Sequence, residues 1–68
     1  MLYRIIDQMK TGDQFESKLY TDPREAIRDC KAEFEALSDH DKKRRSAFYV
    51  AGFTDPDAID HDILYSAI

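Results

Sequence analysis

A chain of 68 residues has room for one domain, 1–68, and buries only about 60% of the surface its unfolded form exposes, so it needs a supplement to its core. Cys30 is the only cysteine, which excludes an internal disulfide, and one Cys with His40 and His61 falls short of a zinc cage. Association remains as the supplement. A net charge of −4 with 43% hydrophobic residues describes a folded chain and disfavours a dedicated nucleic-acid or anionic-membrane binder.

Leu2 to Met9 is β-branched, aromatic or apolar apart from Arg4, Asp7 and Gln8, and reads as a strand. Lys10-Thr11-Gly12-Asp13 carries the residues a tight turn needs. Phe15 to Tyr20 alternates, with Phe15, Ser17 and Leu19 on one face and Glu16, Lys18 and Tyr20 on the other, so a β-hairpin is expected. Asp22-Pro23-Arg24-Glu25 then opens a helix. Asp22 accepts from free N–H groups of the first turn, Pro23 lacks an N–H where none is needed, and Glu25 takes the capping-box position.

Ile27, Cys30, Phe34 and Leu37 follow at helical spacing and form one narrow apolar stripe beside Ala26. Ser38 to Arg45 is polar throughout. It extends the helix exposed to water, or Ser38 and Asp41 cap a separate short turn. Ala47 to Phe53 is a third strand with six of its seven residues apolar or aromatic, a pattern suited to a central position. Phe53-Thr54-Asp55-Pro56 repeats Tyr20-Thr21-Asp22-Pro23, two uses of one turning device. Ile63 to Ile68 reads as a fourth strand or a short helical last turn, leaning to a strand paired back on the third. The expected fold is α+β, a small antiparallel sheet of three to four strands with one long helix on one face.

No constellation calls for catalysis or a cofactor. The acidic loop 55–62 departs from the EF-hand pattern, with Ile59 at a ligand position and no closing Glu, and reads as a solvated turn. His40 and His61 each lie between two aspartates but beside no nucleophile, so both read as surface histidines. Cys30 lies on the apolar stripe, where burial removes its reactivity. Lys42, Lys43, Arg44 and Arg45 are the sharpest charge feature. They suit a helix C-terminus, and in an alternative reading they contact nucleic acid near Phe48 and Tyr49. No apolar run has the length of a membrane span or a signal peptide, and with the lone thiol this points to a cytoplasmic protein.

The functional expectation rests on a count of faces. One helix covers one face of the sheet, while the first and third strands carry apolar residues on both. The face away from the helix is therefore expected to dock a second copy or another protein, with Tyr3, Tyr49 and Phe53 near its centre. An enzyme is not expected, since so short a chain leaves little room for a pocket.

Overall fold

The computed structural model describes residues 1–55, 57 and 61–68. It is an α+β fold, a four-stranded antiparallel sheet with one long helix packed against it. The strands are β1 (Leu2–Met9), β2 (Gln14–Glu16), β3 (Arg45–Phe53) and β4 (Asp62–Ser66), and the helices are α1 (Pro23–Glu35) and α2 (Asp39–Lys43). Spatial order is β2-β1-β3-β4. The two most apolar strands thus lie side by side in the middle, in register from Leu2 opposite Phe53 to Gln8 opposite Ala47. The β1–β2 connection turns at Gly12, whose φ of 100° only glycine adopts without strain.

Helix α1 starts where the sequence places it. The Asp22 carboxylate accepts from the Arg24 N–H at 3.0 Å and Pro23 is the first helical residue. Its stripe faces the sheet: Ala26 and Cys30 are fully buried, and Ile27, Phe34 and Leu37 pack against Ile5, Tyr20, Phe48 and Val50. The Phe34 and Phe48 rings meet at 5.4 Å in a tilted arrangement. The helix caps at Ala36 and a separate helix α2 follows. Ser38 caps it by accepting from the Asp41 N–H at 3.1 Å, so of the two readings of this segment the capped turn is the one observed.

Three irregularities in the sheet redirect side chains. Between Gln8 and Met9 the register with β3 slips by one, leaving Ser46 as the extra residue. A one-residue slip exchanges the faces, so Arg45 turns to the helix side, where Asp7 lies. Opposite Val50 and Ala51 the slip leaves Leu64 as the extra residue of β4. The third falls after β2. Ser17 stays in line with Ile5, donating its N–H to the Ile5 carbonyl at 3.0 Å while its Oγ accepts from the Ile5 N–H at 2.8 Å. Tyr20 then pairs with Tyr3 one residue out of that register.

These slips correct two readings of the sequence. The second strand is Gln14–Glu16 rather than Phe15 to Tyr20, because Lys18 and Leu19 leave the sheet as exposed residues. Tyr20 does not share a face with Glu16, which pairs with Ile6 while Tyr20 pairs with Tyr3. The extra residue turns it under the helix, where it is 6% exposed.

Candidate functional site

The expected docking surface is the sheet face opposite α1. In-register pairing sets Leu2 with Phe53, Arg4 with Ala51, Ile6 with Tyr49 and Gln8 with Ala47 on it, and Ile63 follows beside Ala51. Tyr49 and Phe53 are therefore on the expected face. Tyr3 is not: it alternates with Leu2 and Arg4, lies under the helix with Ile5, and packs against the core. The correction follows from the period of two alone.

No helix covers this face, yet much of its apolar surface is already shielded. Ile6, Ala51 and Phe53 are buried, and Leu2, Ala47 and Tyr49 are half-buried. Long side chains of the same layer provide the cover. The Arg4 guanidinium lies 5.4 Å from the Phe53 ring centroid and pairs with Glu16 at 3.2 Å. The His61 ring stacks on Tyr49 at 5.9 Å. Among the described residues, Arg4 Nε is the one buried side-chain polar atom without a hydrogen-bond partner, which fits a guanidinium laid flat on apolar side chains.

Exposed apolar side chains instead gather at the rims of the sheet. Ile63, Leu64 and Ile68 are 62%, 39% and 58% exposed along β4 and just beyond its end. Phe15 and Leu19 are exposed on and after β2, and Met1 beside β1. Leu64 reaches back across the strand end: its Cδ1 lies 2.8 Å from where a Cβ on Gly52 would stand, and the Tyr3 ring 3.2 Å from it. A Cβ at 52 would displace Leu64 Cδ1 and press on the Tyr3 ring, so glycine leaves these two side chains room to close over β3.

The basic cluster is divided by the fold. Arg45 Nε donates to the Asp7 carboxylate at 2.9 Å and its Nη1 to the Asp41 carbonyl at 3.1 Å, with both ionic side chains mostly out of water. Lys42 pairs with Glu35 at 3.7 Å and lies 5.3 Å from the Phe34 ring centroid. Lys43 and Arg44 remain exposed. Of the four clustered cations, a phosphate backbone approaching this end would find Lys43 and Arg44 free of an ion pair among the described residues.

The other candidates have distinct placements. Cys30 is fully buried, and burial with Glu33 nearby pushes its thiol up to about 11, so it is protonated and unreactive at neutral pH. His40 is exposed in α2. In the acidic loop, Asp55 accepts from the Asp57 N–H at 2.9 Å, while 56 and 58–60 lie outside the described residues. Shallow clefts among the described residues flank the sheet. One of about 180 Å3 opens between β2 and α1, floored by Ile5 and Phe48 and rimmed by Asp7, Phe15 and Glu33. Burial raises the Glu33 carboxyl, and Asp29 and Asp7 raise it further. Another, of about 150 Å3, lies among Met1, Phe53, Thr54, His61 and Asp62.

Buried polar pairing is specific where it occurs. Tyr20 donates its hydroxyl to Asp29 at 2.9 Å. Burial, then that bond and the charge of Asp29, push the tyrosine up to about 12, while the same bond holds the Asp29 carboxyl below its ordinary value. The bond ties the end of the first hairpin to α1.

Comparison with protein-family models, with curated proteins and with solved structures finds no significant match for this chain. No helix among the described residues is long and apolar enough to cross a membrane.

Proposed function

We propose that this chain is a non-enzymatic protein-interaction module that docks through its sheet, at the β4 edge and the strip of the helix-free face beside it. The carrying observation is the character of that edge. An edge strand presents unpaired N–H and C=O groups, and proteins blunt such edges with lysine, proline or very short strands. At the other rim, β2 fits that description, being three residues long, ending at Glu16 and followed by Lys18. β4 has five residues, and Asp62 is its only charge; Ile63, Leu64 and the nearby Ile68 are exposed. Its register slip twists the strand but leaves it apolar.

The strip beside the edge carries Ile63 and the Tyr49–His61 stack, so the expected face contributes at its β4 margin rather than at its centre. Docking by strand addition uses main-chain hydrogen bonds for affinity and alternate side chains for specificity. The module works in a reducing, cytoplasmic setting, a reading supported by the single thiol kept protonated inside the core.

Photo-cross-linking in the native host tests the surface. A benzophenone amino acid at Ile63 should give adducts. The same group at Arg24, whose side chain is 92% exposed on α1, should give few. Equal adducts at both positions, or none at Ile63, would overturn the reading.

A further inference from the structure

Resting on that reading of the β4 edge, we infer that its occupant is a second copy of this chain. The two β4 strands pair antiparallel across a two-fold axis, joining the two four-stranded sheets into one continuous sheet.

Charge is distributed along the edge in a way that favours this partner. β4 starts opposite Gly52 and ends beside Phe48, where the Ala67 N–H donates to the Phe48 carbonyl at 2.8 Å. Its first end stands with the exposed acids Asp55, Asp57 and Asp62. Its last end stands at the start of β3, with exposed Lys43 and Arg44 and with Lys10, whose N–H donates to the Arg44 carbonyl at 2.9 Å. Asp39 and Asp41 of α2 offset part of that positive charge, so the gradient is moderate. An antiparallel partner sets the acidic end of each copy against the basic end of the other, twice over, whereas a parallel strand would set like ends together. The apolar side chains between them are then shared by both copies.

Size sets the strength. The chain exposes 4557 Å2, close to the roughly 4,400 Å2 expected of a folded monomer of its mass. The copies therefore meet as finished domains. A five-residue edge with three apolar side chains belongs among small interfaces, below about 1,200 Å2 in total. Interfaces of this size are transient, and the charge matched at both ends makes this one weaken with salt.

Sedimentation of the purified protein from about 1 μM to about 1 mM gives the mass, and amide exchange over the same range gives the surface. The expected result is a monomer that becomes a dimer with concentration, with β4 amides slowing in step. Ile63→Lys and Leu64→Lys replace exposed side chains and should each raise the dissociation constant at least tenfold. Asp62→Lys should raise it less, and added salt should weaken the wild type. If either lysine variant fails to fold, the exchange arm on the wild type still decides. A wild type that stays monomeric throughout overturns the self-pairing and leaves the docking edge to be judged by cross-linking at Ile63. A dimer that forms with β4 amides unprotected, and survives both lysine variants, overturns the edge as well.

Discussion

Arg45 illustrates how the sheet assigns work to a charge. With unbroken alternation it would share a face with Ala47 and Tyr49 and reach into water. The extra residue Ser46, whose hydroxyl donates to the Gln8 carbonyl at 3.2 Å, turns it to Asp7 instead. Removing one partner of a largely buried pair strands the other. Arg45→Gln should therefore lower stability by about 2–4 kcal/mol in denaturant titration, while Lys43→Gln should leave the midpoint almost unchanged. Tyr20 and Cys30 set the alkaline limit. Both have folded-state values above their unfolded ones, so the neutral forms favour the fold. Their contribution is complete below the unfolded values of 9 and 10 and is lost as pH rises through about 11 and 12. The native state should weaken above pH 9, and Tyr20→Phe should flatten the upper part of that decline when unfolding is followed by circular dichroism.

At the scale of elements, the helix was the most legible part of the chain and the hairpin the least. The cap of α1 is a local device, and Asp22→Ala should cost about 0.5–2 kcal/mol in thermal or denaturant unfolding, since it deprives the first turn of its acceptor. Its stripe was equally readable, because Ile27, Cys30, Phe34 and Leu37 repeat at the period of a helix whatever lies beneath them. β3 was readable from its composition, whereas the tail that forms β4 fitted either a strand or a helical turn, and its pairing with β3 decides for the strand. The slips were not readable. Whether a residue is extra depends on the strand beside it, and nothing in Ser17 to Tyr20 or Ser46 announces the offset. The same gap explains Lys42 to Arg45, contiguous in sequence but split in space between an ion pair with Glu35, an ion pair with Asp7 and open solvent. It also explains the helix-free face. Composition revealed its apolar residues but not that Arg4 and His61 lie over two of them.

For the molecule as a whole, the central pairing has a cost in time. Ile5 and Val50 face each other across the middle of the sheet, so β1 must wait for a partner on the far side of the hairpin and both helices. Non-local pairing of this kind places folding toward the slow end for a domain of this size, in milliseconds to seconds. Until that closure, Ala47 to Phe53 is an apolar segment with both edges free, the sort of stretch that associates with its like. The newly synthesised chain is thus more vulnerable than the finished one. Recovery after rapid dilution from denaturant should fall as protein concentration rises, while the folded protein stays soluble over the same range.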